Sequence, residues 1–80
     1  MQHRLKTFTK YFDAVCDGKK TFEVRKDDRD FQIGDTLVLE EYENGKYQYA
    51  NCQVEIVYIL GRNEDEKIFV PEGYVILGIK

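Results

Sequence analysis

The sequence predicts a mainly β fold of the α+β class: a small, mostly antiparallel β-barrel or strongly curled sheet, closed by one short N-terminal helix. Three observations predict it. Only residues 9–17 carry apolar side chains at helical spacing. Most other apolar residues fall in short, strand-length runs. An Asn-Gly pair, the strongest short hairpin signal, stands between two of those runs.

The elements follow in order. Thr9 is the expected N-cap of the helix. Phe8, Tyr11, Phe12, Val15 and Cys16 make one apolar stripe along it. Gly18 supplies the stop, because glycine accepts the left-handed conformation in which helices often end. A helix this short is unstable alone in water and must dock on the strands. Residues 21–25 alternate, with Phe22 and Val24 on one side and Thr21, Glu23 and Arg25 on the other. Residues 26–30 form a charged loop, and Gly34-Asp35 is a turn signal before a strand from residue 36 to about 42.

The Asn44-Gly45 turn sets a register that pairs Glu43 with Lys46, Tyr42 with Tyr47, Glu40 with Tyr49 and Leu37 with Cys52. One face then carries Leu37, Leu39, Ala50, Cys52, Val54, Ile56 and Tyr58, the expected core side. The other carries Glu40, Tyr42, Tyr47, Tyr49, Asn51, Gln53 and Glu55. Residues 61–73 read as a loop with an acidic start. Residues 74–79 are almost continuously apolar, as in a strand buried on both faces.

Residues 1–80 form one expected domain, since a second would be too small to build its own core. No apolar run approaches the roughly 20 residues that span a bilayer. The basic start, Met1 to Lys6, lacks the apolar stretch of a signal peptide. The expectation is a cytoplasmic protein without a membrane partner. Cys16 and Cys52 show no C-x-x-C spacing and read as buried free thiols. His3 is the only histidine, so neither a metal nor another cofactor is expected. The net charge of -3 argues against an indiscriminate nucleic-acid binder. Residues 1–30 nevertheless hold eight Lys or Arg against six acids, while residues 31–80 hold four against nine. An anionic ligand would favour the N-terminal part.

The densest mixture of opposite charges is Gly18-Lys19-Lys20-Thr21-Phe22-Glu23-Val24-Arg25. Glu23 and Arg25 share a strand face and can pair. Lys20 joins them only if the chain bends near Thr21. The pattern Gly18-x-Lys20-x-x-Glu23-x-Arg25 after a short helix resembles the signature of the ASCH domain, a branch of the PUA-like superfamily. The preceding Tyr11-Phe12-Asp13-Ala14-Val15, the following Asp30-Phe31-Gln32-Ile33-Gly34-Asp35-Thr36-Leu37 and the ending Gly73-Tyr74-Val75-Ile76 extend the resemblance over nearly the whole chain.

The resemblance implies a PUA-like barrel with a cleft beside the helix, lined by Lys20, Glu23 and Arg25. It implies RNA or a nucleotide-like small ligand as partner. Arg25 suits bidentate contact with a phosphate or base edge, and Lys20 acts as a point charge. Glu23 accepts hydrogen bonds or orients Arg25, and Lys19 and Lys26 add charge at the rim. Some relatives are amidohydrolases that remove an acyl group from a modified cytidine. They pair the motif lysine with a threonine where this chain has Glu23. A hydrolase here would use Lys20 as base or proton shuttle and Glu23 to activate water, yet the flanking cations suit Glu23 better as a fixed acceptor. A third reading is a structural or partner-binding domain, in which the motif is a surface ion-pair cluster.

Tyr42, Tyr47 and Tyr49 are candidate stacking residues on the wet face of the hairpin. Cross-strand packing competes with that reading, and Glu40, Glu43 and Glu55 would repel phosphate. Gly34-Asp35 is read as a turn, and Lys26-Asp27-Asp28-Arg29-Asp30 as a solvated loop rather than a cation site.

Overall fold

The computed structural model describes residues 1–80. Its elements are β1 (Gln2–Phe8), α1 (Thr9–Cys16), β2 (Phe22–Lys26), β3 (Thr36–Glu43), β4 (Lys46–Leu60), a 3-10 helix (Glu64–Ile68) and β5 (Tyr74–Ile79). The strands form one five-stranded sheet in the order β1-β3-β4-β5-β2. The class is mainly β with one α-helix, as the sequence predicts. The expected antiparallel barrel is corrected: the sheet is mixed, with β1 parallel to β3, and it is not closed.

Strand β1 is absent from the sequence reading, and the reason is physical. Its buried residues are His3, Leu5 and Thr7, only one of them apolar. A strand that turns a histidine and a threonine inward leaves no hydrophobic alternation to detect. Helix α1 is therefore not N-terminal but follows a strand directly. Thr9 is not its N-cap. Phe8 holds that position without a side-chain cap, and the Thr9 hydroxyl donates to Glu41 at 2.7 Å. The C-terminal end is as expected. The Lys19 N–H donates to the Ala14 carbonyl and the Gly18 N–H to that of Val15, a Schellman motif with Gly18 at φ 74°.

Asn44 and Gly45 take φ of 53° and 77°, the positive pair of a type I′ turn. Glu43 faces Lys46 and Tyr42 faces Tyr47, as the turn requires. Beyond that the predicted register is corrected. Glu40 pairs with Asn51 and Leu37 with Val54, because an irregularity inserts two extra residues on β4. A shift of two keeps the face of every side chain, so Leu37, Leu39 and Ile56 still point into the core. Tyr58 does not, because a second irregularity lies between Ile56 and Tyr58, and it is exposed. Strand β5 alternates instead of burying both faces, with Val75, Leu77 and Ile79 inside.

The core is one cluster of ten buried residues. Phe12 and Val15 of α1 meet Leu5, Phe31 and the inner faces of β3, β4 and β5 there. Strands β1 and β2, at opposite ends of the strand order, curl toward each other without a backbone ladder. Arginine side chains span the seam instead: Arg25 reaches the Lys6 carbonyl at 3.1 Å and Arg29 the Arg4 carbonyl at 2.9 Å. No helix is long and apolar enough to cross a membrane.

Candidate functional site

The Schellman turn sets up the site. Lys19 and Lys20 both donate their backbone N–H to Ala14, which pins the chain against the helix end. The Thr21 carbonyl then accepts from Ile79, and β2 begins at Phe22. Lys20 precedes the strand, so its side chain folds back along it. The ammonium donates to the Phe22 carbonyl at 2.7 Å and to Glu23 Oε1. Lys20 thus joins Glu23 through its long side chain, with the backbone bend at Lys19 rather than at Thr21.

Strand β2 alternates as predicted but faces the unusual way round. Glu23 is buried, 3 % exposed, while Phe22 and Val24 stand in solvent. Arg25 lies on the Glu23 side and grips Oε2 through Nε at 3.0 Å and Nη2 at 2.7 Å. Nη2 also donates to the Thr7 hydroxyl at 3.0 Å, and Thr7 donates onward to the Leu5 carbonyl at 3.2 Å. Four of the five guanidinium N–H donors are engaged, two on Glu23 of its own strand and two across the seam on Lys6 and Thr7. Arg25 is therefore first a staple between the two strand edges. Lys20 keeps one N–H free of the two acceptors it serves.

Above this cluster opens a cleft of about 550 Å³. Its walls are Phe8, Tyr11, Phe22 and Val24, all exposed, with Lys6, Thr7, Lys20, Glu23 and Arg25 around them. The Lys20 ammonium sits 5.0 Å from the Phe22 ring centre and 5.8 Å from that of Tyr11. Three cations against one carboxylate leave the cleft net positive. Lys20, Glu23 and Arg25 come together in the cleft; the rim residues Lys19 and Lys26 do not line it. Lys6 lines it instead, and the aromatic walls are Phe8, Tyr11 and Phe22 rather than hairpin tyrosines. Phe8 and Tyr11 were hidden in the helix's apolar stripe, which reads as core. The available signal was the Phe22-x-Val24 alternation opposite a charged face.

The other candidates fall elsewhere. Tyr42 and Tyr47 meet edge to face at 5.1 Å, and Tyr49 projects into solvent from the β4 irregularity. Asp27 forms a bidentate pair with Arg62 at 2.8 and 2.9 Å, which holds its carboxyl below the usual range. His3 is buried, and its Nε2 N–H donates to the Asp35 carboxylate at 2.8 Å. Cys16 is exposed and Cys52 half-buried, against the expectation of two buried thiols. The Cys16 thiol is nonetheless pushed up to about 12, first by desolvation and then by Cys52, so it supplies little thiolate. No group of three or more His, Cys, Asp or Glu stands together to hold a metal ion.

A family model described as a domain of unknown function, DUF3850, matches residues 2–79. The chain is 49 % identical over 54 residues to an uncharacterized 12.9 kDa protein in the GpA 3′ region of Escherichia phage P2. That match covers 68 % of this chain and 50 % of the relative, so the chain spans about half its length. The fold is similar to the crystal structure of hypothetical protein PH0355, with a TM-score of 0.65 and 19 % identity, covering 100 % of this chain and 98 % of that one.

Proposed function

The chain belongs to the DUF3850 family, and we propose that its cleft binds RNA or a nucleotide-like ligand, as an ASCH domain of the PUA-like superfamily would. One observation carries the reading: exposed aromatic rings of Phe8, Tyr11 and Phe22 surround cations whose positions a buried carboxylate fixes. Exposed rings in a largely apolar cleft beside charged side chains suit the flat face of a base, and stacking on such rings is worth about 1–3 kcal/mol per base. Lys6 and the spare Lys20 N–H suit a phosphate or a base carbonyl. Glu23 acts as the anchor that holds both cations in place. The Gly18-x-Lys20-x-x-Glu23-x-Arg25 pattern supports the ASCH assignment, although the sheet is open rather than closed.

The amidohydrolase reading gains nothing from the geometry. A hydrolase needs a nucleophile or water with a base in reach. Both Glu23 oxygens already accept from cations, and the Thr7 hydroxyl donates to a backbone carbonyl. The deciding experiment is a titration of labelled nucleotides and oligonucleotides against the protein and Lys20→Gln. Affinity should fall as salt rises, and Lys20→Gln should weaken binding about ten-fold, the loss of one charged contact. Failure of every nucleotide to bind at low salt would sink the proposal.

A further inference from the structure

We propose that the cleft is one end of a track for single-stranded RNA, which runs across Lys6 to the β3–β4 hairpin and stacks a base on Tyr49. The inference rests on the cleft reading and extends it from one nucleotide to a chain of them. Continuity of the surface carries it. Beside the cleft lies a second depression of about 140 Å³ that shares Lys6, Thr7 and Phe8 and adds Tyr42. The Lys6 ammonium stands 4.7 Å from the Tyr42 ring centre and 5.7 Å from that of Tyr47. Tyr47 in turn lines a third depression of about 490 Å³ together with Tyr49, Ala50, Asn51 and Glu40, whose charge Arg4 offsets. A cation and successive aromatic rings along a groove are what a single strand needs, since its phosphates follow the charge and its bases stack without regard to sequence.

Tyr49 adds an independent argument. Its φ is 62°, in the left-handed region that bulky residues rarely enter, and the residue is 99 % exposed. A strained backbone that holds an aromatic ring fully in solvent gains no packing in return. A stacked base would provide that packing. The acids that should repel phosphate are already engaged or distant. Glu40 pairs with Arg4 at 3.3 Å. Glu41 and Glu43 turn to Thr9 on the helix side, at 2.7 and 3.1 Å. Glu55 stands opposite Thr36, far along the hairpin from its turn.

The test titrates fluorescein-labelled oligouridylates of increasing length, and labelled uridine monophosphate, at low salt. Affinity should climb up to about four nucleotides, the low end of single-strand site sizes. Tyr49→Ala should weaken the tetranucleotide about ten-fold and leave the monophosphate unchanged, while Tyr49→Phe, which keeps the ring, should match wild type. Because Tyr49 touches little, thermal melting should be the same for all three proteins. A tetranucleotide that binds no tighter than the monophosphate, or a Tyr49→Ala protein that binds it as well as wild type, overturns the track and leaves the cleft reading standing. Failure of both monophosphate and tetranucleotide to bind overturns the two together.

Discussion

Two carboxylates are buried to a similar degree in this molecule, and they do different things. Asp35 is 6 % exposed and Glu23 3 %. Asp35 sits in a closed corner where His3 meets Oδ2 at 2.8 Å, the Gln32 N–H meets the same oxygen at 3.0 Å and the Met1 ammonium meets Oδ1 at 3.1 Å. His3 is itself packed edge-on to Phe31, with ring centres 4.7 Å apart. Glu23 sits under an open cleft and is met by two long cations that reach solvent, with side chains 17 % and 21 % exposed. Burial of an acid is therefore a poor guide to function. What distinguishes the two is whether the groups that satisfy it retain donors and apolar walls that face outward.

Substitutions sharpen that contrast, and the largest effect is expected at Glu23. Glu23→Ala leaves Lys20 and Arg25 side by side with no counter-charge. It should cost about 3 kcal/mol, the low end for breaking a buried pair, because both cations reach water. Urea denaturation measures it, and a loss under about 1 kcal/mol would place the cluster among ordinary surface ion pairs. Arg25→Lys comes next. It keeps the charge but loses the fork that spans Glu23, Thr7 and the Lys6 carbonyl, so about 1–2 kcal/mol should go. An Arg25→Lys protein as stable as wild type would mean that the seam does not depend on the guanidinium.

The Asp35 corner should show itself through pH. Its carboxyl is held down to about 2 against an ordinary 3.8, first by the His3 hydrogen bond and then by the Met1 ammonium and the Gln32 N–H, against desolvation. A depressed carboxylate contributes stability that is present above its unfolded value and is lost as pH falls through its folded one. Stability should therefore drop between about pH 4 and pH 2, and Asp35→Asn should flatten part of that drop. An unchanged profile in Asp35→Asn would remove the corner from the acid response. Lys20→Gln is the next smallest in stability, within about 1 kcal/mol, because one neutral donor can still serve Glu23. Its effect on ligand binding should be the larger one, and a variant that lost stability but not affinity would make Lys20 a structural residue like Arg25. Tyr49→Ala should leave stability within about 0.5 kcal/mol, as for a surface change that touches no packed group.

Some of the architecture was legible because it depends on neighbours in the chain. The Asn44-Gly45 turn follows from two adjacent residues that tolerate positive φ. The helix end follows from Gly18. The pairing of Glu23 with Arg25 follows from the two-residue period of a strand. These local rules brought Glu23 and Arg25 together before any contact was known; Lys20 joined them only through the resemblance to the ASCH signature.

The rest depended on what lies across the sheet. Strand β1 is invisible locally because it buries His3 and Thr7, and each is acceptable inside only where Asp35 and Arg25 arrive from distant segments to satisfy it. The alternation of β2 names two faces but not which one is inward. That was settled when the curled sheet brought the β1 edge opposite, leaving a seam that Arg25 spans and Glu23 underpins. The same curl left Phe8, Tyr11 and Phe22 as cleft walls instead of core. Sequence by itself determined where the chain turns and which side chains share a face, since those are set within a few residues. Only the tertiary structure decided which faces meet, because facing depends on the free energy of contacts between strands far apart in sequence.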